Sequence, residues 1–371
     1  MTPYAAVIST FAIAGASFGT WASRIPSFKD ALQLEPAQLG SILLVLALAS
    51  IVSFPLAGRI MDLYGAARVS KGFTWATLGA LLALSIAPNA WTLTVLVATF
   101  GAMIGAMDVA MNGWGAEVER QRPKPIMSSL HANWSLFAGA GGLIGLGAVK
   151  LGLSIVEHVG LAVLLMAGLA IAVSRVRWAA QPVTDDAPAF AWPHRSLLVV
   201  GLLMFCAALA EGAVADWAAI FLRAHLQVSD AMAISGFVMF SLTMFIGRMA
   251  ADGLVAKHGA AQVCWLGGVL ATLGVSLILL APVLAVSLVG FALLGLGLAP
   301  VFPLGCARAA NDPNVTPGQG LASVATLGYG GIMLGPSIIG FVAQGFGIFV
   351  GFGLILLCAL YQVAFSSGLR R

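Results

Sequence analysis

Charge is scarce in this chain. Only 9% of its 371 residues are Asp, Glu, Lys or Arg, against about 25% in ordinary soluble domains. With 60% of residues hydrophobic, there is too little polar surface to cover the outside of a soluble fold of this size. A lipid surround removes that difficulty. Cysteine is also sparse. Cys206, Cys264, Cys306 and Cys358 all fall inside apolar runs, which fits buried free thiols better than a disulfide framework. The net charge is only +4, and no Lys/Arg cluster is interleaved with aromatics, so nucleic-acid binding has no support. Alternating ten-residue strands are missing too, which excludes a membrane β-barrel. Neither His-Glu-x-x-His nor Gly-x-Ser-x-Gly occurs, so the chain is not expected to be an enzyme. No cofactor and no metal are expected.

What is present is a series of long apolar runs. A membrane span takes about 20 residues, and the runs predict twelve helices, at 3–22, 37–58, 71–88, 91–113, 128–150, 156–174, 196–222, 232–250, 262–281, 284–306, 320–342 and 346–367. The fold class is therefore an all-α polytopic membrane protein. The first run is too long for a signal peptide and lacks a basic leader, so it reads as a retained span. Fourteen of the eighteen Lys and Arg lie in one set of alternate loops or at the chain's end, Arg59, Arg68, Arg120, Arg175, Arg248 and Arg308 among them. The other set holds Arg24, Lys29, Lys150 and Arg223. That bias puts both termini in the cytoplasm.

The longest polar stretch, from Arg175 to Arg195, holds Pro182, Asp185, Asp186, Pro188 and Pro193. It reads as a cytoplasmic linker at 175–195 between an N-terminal six-helix bundle at 1–174 and a C-terminal one at 196–371. The two halves resemble each other. Gly58-Arg59 recurs as Gly247-Arg248, Gly65-Ala66-Ala67 as Gly259-Ala260-Ala261, Trp21-Ala22 as Trp217-Ala218, Ala87-Pro88 as Ala281-Pro282, and Gly141-x-x-x-Gly145 as Gly331-x-x-x-Gly335. The offsets are nearly constant, and six spans per half is an even number, so the repeat is parallel.

These residues resemble the major facilitator superfamily. That family carries Gly-x-x-x-Asp-basic-x-Gly-basic-basic between its second and third helices. Gly58, Asp62, Gly65 and Arg68 match it, with Leu63 in place of the first basic residue and Arg68 one position late. Gly247, Arg248, Asp252 and Gly259 form a degenerate second copy. Asp108-Val109-Ala110-Met111-Asn112, Ser129-Leu130-His131 and Glu211 to Trp217 look like the bacterial YbjJ-like subgroup. The resemblance implies twelve helices in two pseudo-symmetric bundles, with helices 1, 4, 7 and 10 lining a central cavity. It also implies a multi-pass protein of the bacterial inner membrane, and for Asp62 a role in locking the halves on the cytoplasmic side. The alternative for Asp62 is a simple loop cap. Arg59 and Arg248 would anchor helix ends.

Ionisable groups inside a span are costly, about 2.5–3.5 kcal/mol at its centre, and so usually face a cavity or a partner. Glu211 lies fourteen residues past Leu197, about 21 Å along its helix. With no Lys or Arg at comparable depth, it suits reversible protonation or substrate binding; the alternative is a neutral acid bonded to a carbonyl. Asp216 lies nearer the outer surface. Asp108 and Asn112, four apart on one helical face, sit at a depth similar to His131, and could relay protons, latch a gate, clamp two helices or contact the substrate directly. Trp21 and Trp217 read as interfacial aromatics or as stacking surfaces for a ring. Thr20, Asn133 and Tyr329 are further cavity candidates. The glycines of spans 5 and 11 read as packing surfaces. A glycine-proline signature of drug antiporters has its likeness in span 11, at Gly331-x-x-x-Gly335-Pro336, while span 5 has no proline, which leans against antiport.

The expectation is a secondary transporter, proton-coupled, moving a small polar, sugar-like organic solute by alternating access. The alternative is a proton-driven efflux antiporter for amphipathic compounds, for which Met204, Phe205, Met239 and Met244 would line the cavity. Its partners would be the small-molecule substrate, protons and the lipid bilayer, with the protein acting as a monomer.

Overall fold

The computed structural model describes all residues except 35, 180–193, 229, 281, 282 and 371. The expected linker residues Pro182 to Pro193, and the repeat pair Ala281-Pro282, lie outside the described residues. The helices are α1 (Pro3–Ala31), α2 (Pro36–Tyr64), α3 (Ala66–Leu84), α4 (Ala90–Arg120), α5 (Met127–Lys150), α6 (Ile155–Ser174), α7 (Leu198–Leu226), α8 (Asp230–His258), α9 (Ala260–Leu280), α10 (Leu284–Leu298), α11 (Val301–Ala309), α12 (Pro317–Phe346) and α13 (Ile348–Phe365). Among the described residues no strand occurs, and eleven helical segments are long and apolar enough to cross a membrane. α3, 19 residues long but less apolar, is the twelfth span. α10 and α11 together form one of the eleven, Leu284–Ala309, interrupted at Ala299 and Pro300, where proline lacks the N–H that an unbroken helix needs.

Several helices run past the apolar stretches that announce them. α1 continues nine residues beyond the expected end at residue 22 and takes Pro26 into its last turns. Backbone hydrogen bonding does not stop where hydrocarbon stops, so a helix end is set by capping groups and turns rather than by hydropathy. At the other end of α1, Thr2 accepts from the Ala5 N–H at 3.2 Å, and Pro3 opens the helix.

The repeated glycines explain the turns. Gly65 alone joins α2 to α3, with φ 85°, and Gly259 alone joins α8 to α9, with φ 78°. Each N–H donates back to a carbonyl four residues earlier, Met61 or Val255, at 2.8 Å. A side chain is strained at such φ, so the repeat keeps glycine here for a backbone reason.

By its contacts the chain divides into two units. The first comprises residues 1–122, 133–192 and 313–322; the second comprises 123–132, 193–312 and 323–371. The opening residues of α5 thus belong with the second unit, and those of α12 with the first.

In the first unit, α1 lies tight against α5. A Cβ on Gly15 would stand 2.2 Å from the Trp134 carbonyl oxygen, and one on Gly19 2.0 Å from that of Ala138. α4 closes on α2 in the same way, with the Ser50 hydroxyl donating to the Gly101 carbonyl at 2.8 Å. Phe11, Trp21, Phe28, Phe54, Phe100 and Trp114 fill its core. In the second unit, Gly274 and Gly290 bring α9 and α10 together. The Gln362 amide on α13 donates to the Cys264 and Gly297 carbonyls at 3.0 Å each. Phe221, Phe240, Phe291 and Phe352 are its largest fully buried side chains. The outward faces of both units carry exposed Leu, Ile, Val and Phe, the mark of a surface solvated by lipid.

Candidate functional site

In the second unit, Glu211 stands near the middle of α7, and the Arg248 guanidinium of α8 donates to its Oε2 at 3.4 Å. The arginine side chain is 11% exposed and the glutamate 39%. This corrects the reading of Glu211 as an acid without a fixed cation, and of Arg248 as a helix-end anchor. α8 runs ten residues beyond Arg248 to His258, so the arginine belongs to the interior of the helix. The contact is long for a charge-assisted bond, and the carboxylate is the more exposed partner.

From Arg248 a chain of three rings leads off within the second unit. His131, from the first turns of α5, is half-buried and interacts electrostatically with Arg248. Its ring meets Phe302 of α11 edge-on at 5.6 Å, and Phe302 meets Tyr329 of α12 edge-on at 6.2 Å. Gly328 admits the phenylalanine, for a Cβ there would stand 2.8 Å from its ring. His131 and Tyr329 were singled out in the sequence. Phe302 was not, because one aromatic in an apolar run carries no signal of what it faces.

Asp108 and Asn112 lie on α4 in the first unit, both buried. The Asn112 amide donates to the Asp108 carbonyl at 2.9 Å and reaches its Oδ1 at 3.4 Å. Both belong to the first unit, and His131 is assigned to the second. Asp216 is exposed on α7. Trp21 is buried between Phe28 and Phe100, at 5.5 and 6.4 Å, so it is a core residue and neither an interfacial anchor nor a stacking platform. Thr20 is also buried. Trp217 packs on α12, 3.0 Å from where a Gly340 Cβ would be. The Asn133 amide donates to the Ile8 carbonyl at 2.8 Å, tying α5 to α1.

The two motif acids each cap a helix. Asp62, buried at the end of α2, accepts from the Gly318 N–H at 2.9 Å and from the Thr316 hydroxyl, at the start of α12. Gly58 permits the approach, since a Cβ on it would stand 2.4 Å from the Gly318 carbonyl oxygen. Asp252, on α8, accepts from the N–H groups of Ser128 and Ser129 at 3.0 and 2.7 Å and from the Ser129 hydroxyl, at the start of α5. Both carboxylates thus sit where a helix leaves its first N–H groups unpaired and its dipole favours negative charge. Gly247 permits a different close approach, of α8 to the junction of α10 and α11, with a would-be Cβ 2.7 Å from that of Ala299. Arg68 is exposed on α3. Sequence reasoning missed the receiving ends. Thr316-Pro317-Gly318-Gln319 is a capping box in which the Thr316 hydroxyl accepts from the Gln319 N–H at 3.2 Å, and that pattern was legible. Among the described residues, no group of three or more His, Cys, Asp and Glu could hold a metal.

No model of a known protein family matches the chain. Whole-chain relatives do. An uncharacterized transporter, y4wD, of Sinorhizobium fredii is 36% identical over 93% of this chain and 92% of its own length. An uncharacterized MFS-type transporter of Yersinia pestis is 31% identical over 97% of this chain and 94% of its own. The chain belongs to the major facilitator superfamily (MFS). Among solved structures, a variant of the Escherichia coli fucose:proton symporter FucP superposes with a TM-score of 0.79. It covers 100% of this chain and 98% of its own at 17% identity, a likeness of fold. The protein is therefore a multi-pass MFS transporter with twelve membrane helices.

Proposed function

We propose that this MFS transporter couples proton movement to the passage of a small polar, sugar-like solute by alternating access, with Glu211 carrying the proton. The observation behind this reading is the Glu211–Arg248 pair, held at 3.4 Å near the middle of α7. While Glu211 is ionised, the two charges neutralise each other in a place where either alone would be costly. A proton on Glu211 dissolves the pair and releases guanidinium N–H donors, which suit the oxygens of a polyol or sugar. Phe302 and Tyr329 would supply the apolar faces that pack on a sugar ring. The fold it shares with a protein named as a fucose:proton symporter is in keeping with this reading. Both termini would be cytoplasmic, on the Lys/Arg bias.

The test uses purified protein in two stages. A thermal-stability screen of sugars, sugar acids, nucleosides and amino acids finds a ligand, because binding to the native state raises Tm by mass action. Proteoliposomes with an imposed pH gradient then measure uptake. Glu211→Gln is expected to keep solute exchange within about threefold of wild type, yet to lose accumulation against a gradient by about tenfold or more, roughly 1.4 kcal/mol of coupling. Asp216→Asn should leave both within about twofold of wild type, a margin under about 0.5 kcal/mol. Accumulation by Glu211→Gln at the wild-type rate would remove Glu211 from the coupling role.

A further inference from the structure

The first unit carries a groove between α1, α5 and α6 that the transport reading does not use. Its volume is about 600 Å³, and it runs from His158 near the start of α6, past Leu161 and Leu165, to Leu169. The eleven rises from His158 to Leu169 span about 16 Å of helix. Its lining is apolar apart from His158 and Thr20.

His158 is 2% exposed, and its Nε2 has no hydrogen-bond partner among the described residues. Its Nδ1 accepts from Arg24 Nε at 3.0 Å. A guanidinium is always protonated, so Nδ1 must present a lone pair, and the ring's own proton sits on Nε2. The ring is held close to α5 because residue 145 is glycine; a Cβ there would stand 3.2 Å from His158 Cε1. An N–H donor is thus fixed at one end of an apolar groove. A buried donor left without an acceptor is costly, so the occupant that suits this groove is a hydrocarbon with an acceptor at one end.

We propose that the groove binds one acyl chain of a membrane phospholipid, whose ester carbonyl accepts from His158 Nε2. The groove opens on an outward face, where Leu165 is 76% exposed, continuous with the apolar surface that lipid covers. Its length matches one leaflet of a hydrocarbon core about 30 Å thick. His158 lies three residues into α6, at the level where apolar chain gives way to headgroup. Arg24, on the other ring nitrogen of His158, also donates to the Leu153 carbonyl at 3.0 Å, and Lys150 is exposed at the end of α5.

The full chain in phosphatidylglycerol nanodiscs, doped with a phosphatidylglycerol bearing a photoactivatable diazirine on one acyl chain, tests this. Cross-links are mapped to peptides by mass spectrometry. Leu161 and Leu165 are expected to label at least about fivefold more than Leu357 of the second unit, which is 61% exposed, a preference of about 1 kcal/mol. Gly147→Leu, at a groove position where an added Cβ meets nothing within 4 Å, should abolish that excess while leaving His158 and Arg24 intact. An ether-linked analogue, which lacks the carbonyl, should label wild type about threefold less than the ester, and His158→Phe should erase the difference. Labelling equal to that of Leu357, indifference to Gly147→Leu, or equal ester and ether labelling in wild type would each overturn the proposal. So would a dimer whose second copy covers the groove and excludes the lipid.

Discussion

Asp252→Asn isolates the cap on α5. The carboxylate receives two backbone N–H groups, at 3.0 and 2.7 Å, and one hydroxyl. Hydrogen bonds to a charged group contribute about 1.5–3 kcal/mol each, neutral ones about 1 kcal/mol. Asparagine keeps a single acceptor oxygen, so it retains at most part of this set and loses the attraction to the helix dipole, about 0.3–1 kcal/mol. The expected loss is about 2–3 kcal/mol, which raises the local opening of the first turn of α5 about 30- to 150-fold. Ser128 is a natural reporter. It is fully buried, and its hydroxyl has no hydrogen-bond partner among the described residues, so Ser128→Cys leaves the cap intact. With the four native cysteines replaced, the alkylation rate of that thiol tracks the opened population when opening and closing outpace labelling. A rise of less than about threefold (about 0.7 kcal/mol) would refute the cap as a source of local stability.

Asp62→Asn should act likewise on α12: an Ala322→Cys reporter, buried in wild type, is expected to label about tenfold faster, the loss of one charge-assisted bond of about 1.5 kcal/mol. Gly19→Val drives a side chain into the Ala138 carbonyl; overpacking of about 1–3 kcal/mol should lower the unfolding temperature of purified protein by several degrees. Gly79→Ala, where an added Cβ meets nothing within 4 Å, should leave that temperature unchanged, and equal effects would refute the packing account. Single cysteines in the loops at 120–124 and 175–195 should be labelled only from the cytoplasmic side of intact cells; labelling from outside would reverse the orientation drawn from the Lys/Arg bias.

The architecture was legible because one property, the length of an apolar run, is enough to announce a membrane helix. The turn glycines were legible as repeats, and Gly65 and Gly259 prove to share one backbone task. Side-chain partnership was not legible. Glu211 and Arg248 are 37 residues apart on different helices, and depth along one helix says nothing about which face its neighbour presents. Asp62 and Thr316 lie 254 positions apart. Arg24 looked like a loop cation because it follows the first apolar run, yet it is buried against His158. Position near the end of a span does not distinguish a side chain turned to water from one turned inward. Trp21 failed for the same reason.

The Glu211–Arg248 pair also has an electrical consequence. With Glu211 ionised, the pair adds no net charge near the centre of its span; with Glu211 protonated, Arg248 leaves one positive charge there. If, as proposed, Glu211 carries the coupling proton and loads it before reorientation, the loaded transporter would move a charge that the empty one would not. A full elementary charge crossing the membrane is worth about 2.3 kcal/mol per 100 mV. The membrane voltage would then drive the loaded half of the cycle and leave the return of the empty carrier almost untouched.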